Sequence, residues 1–226
     1  MSEFERKLSQ LNADLNTQGA RVSDQLLRAV ESSFEGNTET ARIVVESDQI
    51  IDRVDVEIER ACIELLRLGV TEEHSIRSVL TIVKVNNELE RIADCAVIIA
   101  ESAINHEKII TMAPPTFRVM ANSVVGMARD TNHALVEHDT DMATRVLSFD
   151  DTVNRFRTEI VLDVQQRTSK GELDPLVAFE LLAVTRSLER IADHCTNICE
   201  QVIYLETGKI VRHLPEGWTA PEKPTF

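Results

Sequence analysis

Glu90 with Asp94, and Glu189 with Asp193, each place two carboxylates four residues apart. On a helix that spacing stacks both acids on one face, one turn above the other. Like charges so placed repel, and together they form an all-oxygen surface. Such a surface suits hard or borderline cations such as iron, manganese, magnesium or calcium, with zinc also accommodated. Both pairs lie in the same hexapeptide, Leu-Glu-Arg-Ile-Ala-Asp, found at 89–94 and again 99 residues later at 188–193. Comparing 87–101 with 186–200 gives eight identities in fifteen positions, including a further acid, Glu101 opposite Glu200. The chain therefore reads as a duplicated unit that repeats acids as well as apolar packing.

A second acid stripe precedes the first hexapeptide. Asp48, Asp52, Asp55 and Glu59 fall within about 60° of one another at 100° per residue. Aligning Ala41 with Ala143 carries Asp48 onto Asp150, Asp52 onto Asn154 and Glu57 onto Glu159, while Arg157 and Val161 stand where the first half has Asp55 and Glu59. Asn154 keeps an oxygen donor but removes a charge, so a second-half cation site is expected to be the weaker one. A solvated helix face accounts for any one of these acids taken alone. A purely solubilising face, however, usually alternates Glu with Lys, and clustered like charges ask for a counter-ion.

Long helices must carry these stripes. Of 226 residues 43% are apolar and only 4% aromatic, with the apolar residues mostly Ile, Leu, Val and Ala, a composition of packed helices. Pro is absent from residues 1–113, and Gly36 and Gly69 fall where helical patterns stop. The first half divides into helices over about 3–35, 38–68 and 71–107, with Thr38 and Thr71 as expected N-caps. Pro114-Pro115 opens a second set over about 115–138, 140–169 and 174–206. Gly171 closes the middle helix of that set, and Asp174-Pro175 supplies an N-cap with Pro in the first turn.

The expected fold is all-α: two tandem antiparallel three-helix bundles related by internal duplication, over 1–110 and 111–207, followed by an extended tail over 208–226 that holds three prolines and the sole Trp. Leu89, Ile92, Ala93, Ala96, Ile99, Ala100 and Ala103 are expected in the core, as are Ile50, Ile51, Val54, Ile58, Ala61 and Leu65. The acids are expected to point away from it.

Charge and motifs exclude several functions. A net charge of -14 argues against nucleic acid or anionic lipid as partner and favours cations or basic protein surfaces. The longest unbroken apolar run is six residues, Cys95 to Ala100, so no secretion signal or membrane span is expected. Cys62, Cys95, Cys195 and Cys199 read as buried reduced thiols, although Cys195 and Cys199 beside His194 also have the spacing of a soft metal site. A ferritin-like oxidase needs Glu-x-x-His pairs, and none occurs; the nearest is Asp130 with His133. There is no Gly-rich phosphate loop or nucleophile elbow either, so ATP hydrolysis and acyl transfer lack a carrier.

The stretch 41–65, the run Asn87-Glu88-Leu89-Glu90-Arg91-Ile92-Ala93-Asp94 and the run from Arg186 to Glu200 together resemble the PhoU family of bacterial regulators of phosphate uptake and signalling. The resemblance covers nearly the whole chain apart from the tail. It implies two tandem three-helix bundles, a homodimer, and acid motifs that hold iron or zinc, in multinuclear clusters. Matched by motif, the candidate ligands are Asp48, Asp52, Glu90, Asp94, Asp150, Asn154, Glu189 and Asp193. It further implies a cytoplasmic, non-enzymatic negative regulator that links the cytoplasmic subunit of a phosphate ABC transporter to a phosphate-sensing histidine kinase. Two alternatives stay open: a metal-free helical adaptor whose acids meet basic surfaces, and an accessory of another phosphate carrier. The family usually has Gly before the motif Asp; Ala93 and Ala192 stand there instead, a change that favours the helix by about 1 kcal/mol.

Overall fold

A computed structural model of the chain describes residues 2–69, 71–105 and 109–211. Within them lie six long helices and one short turn of helix: α1 (Glu3–Glu35), α2 (Thr38–Leu66), α3 (Glu73–Asn105), α4 (Ile109–Met112), α5 (Pro115–Glu137), α6 (Thr140–Ser169) and α7 (Pro175–Thr207). No strand occurs among the described residues. The residues of the expected tail beyond Val211 lie outside the described part.

Local chemistry sets the boundaries. Ser2 and Glu5 form a reciprocal capping box that opens α1, and Gly36 ends it in the left-handed conformation at φ 66°. Two expected caps are displaced by one residue. Asn37, not Thr38, accepts from the Thr40 amide at 3.0 Å, because an amide oxygen one residue earlier already satisfies the orphan donor. Glu72, not Thr71, accepts from the His74 and Ser75 amides at 2.8 and 2.6 Å. Helix α2 accordingly stops at Leu66, two residues short of the expected end, and α3 starts at Glu73. Asp174 caps α7 as its sequence demands, with Pro175 in the first turn.

Helices α1, α2 and α3 pack on one another, as do α5, α6 and α7, and short connections make neighbours antiparallel. The two bundles join through α3 against α7 and α1 against α5. One apolar core runs through both, with Leu26, Ile51 and Ile99 in the first and Phe117, Ile160 and Leu188 in the second all buried. At the joint, Val22, Leu89 and Ile92 meet Ala128, Leu135 and Ile198 around a void of only about 10 Å³. The ends of α1 and α5 are tied by Phe34 and Phe117, edge to face at 6.2 Å, with Arg118 stacked 4.0 Å from the Phe34 ring.

Ile50 and Ala61 do not face the core as expected: Ile50 is 44% exposed and Ala61 is exposed. Helix α2 packs on α1 and α3, so its buried arc is narrow and centres on Ile51, Ile58, Cys62 and Leu65. Ile50 lies about 100° round from Ile51 and falls outside that arc.

Candidate functional site

Alpha helices α2 and α3 bring the two acid stripes of the first repeat together along one seam. Asp48 feels the charges of Asp52 on its own helix and Asp94 across the seam, and Glu90 feels Asp94 beside it and Asp55 and Asp52 opposite. Asp52 and Asp94 are exposed, whereas Asp48, Asp55 and Glu90 are half-buried. The acids thus flank a helix contact and do not all point outward as expected. A three-helix bundle gives each helix two neighbours, so the edge of its polar face is drawn into the groove between them.

Burial, then the neighbouring carboxylates, raise Asp48, Asp55 and Glu90 above their ordinary values. Among the described residues no Lys or Arg forms an ion pair with Asp48, Asp52, Asp55, Glu90 or Asp94. Amides hold them instead. Gln25 on α1 donates to Asp48 Oδ1 at 3.1 Å and to the Val44 carbonyl at 3.3 Å. Asn86 donates to both the backbone carbonyl and Oδ1 of Asp55, at 3.0 and 2.6 Å, which leaves its own buried Oδ1 without a partner. Gln25 and Asn86 were not foreseen. Their signal is a polar residue on an otherwise apolar face, beside Leu26 and Val85 respectively.

The second repeat has the same arrangement on α6 and α7, with different chemistry. Asp150, Glu189 and Asp193 lie within mutual influence, and burial followed by these like charges raises Asp150 and Asp193. Asn154 donates to Asp150 Oδ2 at 2.8 Å, and Arg157 Nε lies 2.9 Å from Glu189 Oε2. The eight candidate residues therefore form two groups of four, one on each seam, and the structure does not bring the two groups together.

Among the described residues no three or more His, Cys, Asp or Glu stand, as arranged, where they could hold a metal ion. The donor chemistry of the first seam nevertheless fits an oxygen-seeking cation: unpaired carboxylates crowded by like charge, with an orphaned amide oxygen beside Asp55. The second seam fits less well, because a guanidinium already sits on Glu189. Cys195 and Cys199 are buried, their thiols pushed up by desolvation, and the Cys199 Sγ points to Thr131 Oγ1 at 3.7 Å. Inert core thiols are what that environment makes.

A further polar cluster bridges the repeats. Glu88 Oε2 on α3 lies 2.7 Å from His194 Nδ1 and accepts from Asn197 Nδ2 at 3.0 Å, both on α7. Burial alone would raise Glu88, but these two bonds, together with the charges of His194 and Arg91, outweigh it and hold the carboxyl below its ordinary value. The only trace of this cluster in the sequence is that the repeat breaks identity there, with Ser187 opposite Glu88 and Cys95 opposite His194.

Known proteins match the whole of this architecture. The PhoU domain matches residues 15–103 and 117–202, one copy on each bundle. The phosphate-specific transport system accessory protein PhoU homolog 1 of Thermotoga maritima is 35% identical over 95% of this chain and 93% of its own length. The PhoU accessory protein of Escherichia coli K12 is 27% identical over 94% of this chain and 88% of its own. The crystal structure of PhoU from Pseudomonas aeruginosa, 27% identical, superposes on 92% of this chain and all of that one with a TM-score of 0.85. With a PhoU domain matched to each bundle and similarity along nearly the full length, this chain belongs to the PhoU family.

Proposed function

We propose that this chain is a cytoplasmic accessory and negative regulator of phosphate uptake. In this reading it joins the cytoplasmic subunit of a phosphate ABC transporter to a phosphate-sensing histidine kinase and quiets the starvation response when phosphate is ample. The observation that carries the reading is similarity to proteins named phosphate-specific transport system accessory proteins that runs through both repeats and nearly the full length of each chain. Those names describe accessories, and the reading is accordingly of a binding protein and not an enzyme. Among the described residues no helix is long and apolar enough to cross a membrane, so the transporter is reached by docking.

A docking protein shifts a kinase between states only by binding one state more tightly than the other. In the first repeat, Asp48, Asp52, Glu90 and Asp94, with Asp55 beside them, are the residues to hold iron, zinc, manganese or magnesium. A bound cation supplies a fixed positive point on a surface that otherwise repels anions such as phosphate. Recovery of both partners by affinity capture, in high and low phosphate, tests the regulatory reading; equal recovery in the two conditions counts against a phosphate-dependent switch. Elemental analysis of protein purified without chelator, beside its mass in solution, tests the metal and the homodimer.

A metal-free adaptor is the second reading, supported by the exposure of Asp52, Asp94 and Asp193, which leaves these acids open to basic surfaces. Neutral replacements at Glu90, Asp94, Glu189 and Asp193 separate the two. Loss of partner binding from a protein whose metal content was never above background selects the adaptor.

A further inference from the structure

We propose that Arg157 is a tethered counter-ion that takes the place of a bound cation in the second repeat, so that cation binding is confined to the α2–α3 seam of the first. This rests on the cation-binding reading above and adds to it where, and why only there, the ion is held. Aligned through the internal repeat, Asp48, Asp52, Asp55, Glu90 and Asp94 correspond to Asp150, Asn154, Arg157, Glu189 and Asp193. Three of the five positions keep their carboxylate. The two that change are both on α6: Arg157 reaches Glu189 on α7, and Asn154 turns to Asp150 on its own helix.

The change at Arg157 inverts the electrostatics of its seam. In the first repeat Glu90 looks across at Asp55 and Asp52, like charge against like. Its counterpart Glu189 instead has Arg157 Nε at 2.9 Å, with the Glu189 side chain 23% exposed and that of Arg157 46% exposed. Asn154 adds to this, since its N–H points to Asp150 Oδ2 at 2.8 Å where Asp52 presents a further negative oxygen. A guanidinium keeps its proton at every pH the protein meets, so its charge cannot be removed to admit a metal. It is also anchored to the same chain, which gives it an effective concentration on the order of millimolar against ions that arrive from solution. A divalent ion entering this seam would have to break a charge-assisted hydrogen bond and then sit beside a permanent cation. In the first seam neutral amides of Gln25 and Asn86 hold Asp48 and Asp55, but among the described residues no guanidinium is paired with an acid there. Asp150 Oδ1, buried without a hydrogen-bond partner, remains as a ligand that removal of the guanidinium would release.

The test is titration of the full chain with Mn²⁺, free ion being read by electron paramagnetic resonance, on the wild type and three double variants. Asp52→Asn with Glu90→Gln is expected to weaken Mn²⁺ binding at least tenfold. Asp150→Asn with Glu189→Gln is expected to change it less than twofold. Asn154→Asp with Arg157→Asp is expected to add a second set of sites equal in number to the first. Equal losses from the first two variants, or no added sites in the third, overturns the proposal. A second arm needs no metal: thermal melts of Arg157→Gln, Glu189→Gln and the double variant are expected to show coupling that disappears in 1 M NaCl, and additive melts with no coupling overturn the tether. Absence of Mn²⁺ uptake by the wild type, with the coupling present, removes the cation reading of the first seam while leaving Arg157 as the counter-ion of the second.

Discussion

Asp55 and Glu90 face each other across the α2–α3 seam with no base between them, and both carboxyls are raised, first by burial and then by neighbouring acids. A raised carboxyl means that the folded chain holds the proton more tightly than the unfolded one. Its contribution to stability is present at acid pH and is lost as pH rises through the raised value. Asp55→Asn and Glu90→Gln are therefore each expected to raise Tm at pH 7 by about 1 °C, from roughly 0.3–0.5 kcal/mol of relieved repulsion. That gain should fade below about pH 4, where the wild-type carboxyls are protonated too. Glu88 has the opposite sign. Burial would raise it, yet the bonds from His194 and Asn197 hold it low, so its contribution is present above the ordinary Glu range and is lost as pH falls through the lowered value. Glu88→Gln should cost about 2 kcal/mol at pH 7, a fall of about 4–8 °C in a thermal melt, with a smaller difference near pH 3. The four thiols are buried, with Cys62 pushed up to about 11 and Cys199 to about 12 by desolvation. A thiol reagent should label the native protein far more slowly than the urea-unfolded one.

At the scale of helices, Gly19 and Gly126 make opposite predictions from the same substitution. A Cβ on Gly19 of α1 would stand 2.2 Å from Asn132 Oδ1 on α5, while one on Gly126 meets nothing within 4 Å. Gly126→Ala should stabilise by about 0.5–1 kcal/mol through helix propensity. Gly19→Ala should lose that gain and more, with overpacking costs of about 1–3 kcal/mol, readable as a lower urea midpoint. The helices themselves were legible because Gly36, Pro114-Pro115, Gly171 and Asp174-Pro175 punctuate the chain where periodicity stops. Thr38 and Thr71 missed by one residue because Asn37 and Glu72 reach the same amides. The pairing of acid stripes was not legible, since periodicity fixes an angle on one helix and not which neighbour stands beside it. The bonds from Gln25 and Asn86 were hidden for the same reason. Arg157 was visible as a departure from the repeat, but its contact with Glu189 needed the fold.

For the molecule as a whole, the joint between bundles is apolar and nearly filled, with Leu89 and Ile92 of the first closed against Ile198 of the second. The full chain should therefore unfold in one calorimetric transition. Residues 1–110 expressed alone should expose those side chains and self-associate, which their mass in solution would reveal. The antiparallel contacts of α1 with α5 and α3 with α7 carry a final consequence. Each of α1, α3 and α7 runs 33 residues, or about 50 Å, and every one is clamped along its flank by a helix from its own half and one from the other. Two lobes fastened side by side in this way are held against swinging apart. Labels placed at the far ends of α2 and α6 should keep one separation whether the protein is alone or in complex, because a strut can report only by where it is attached.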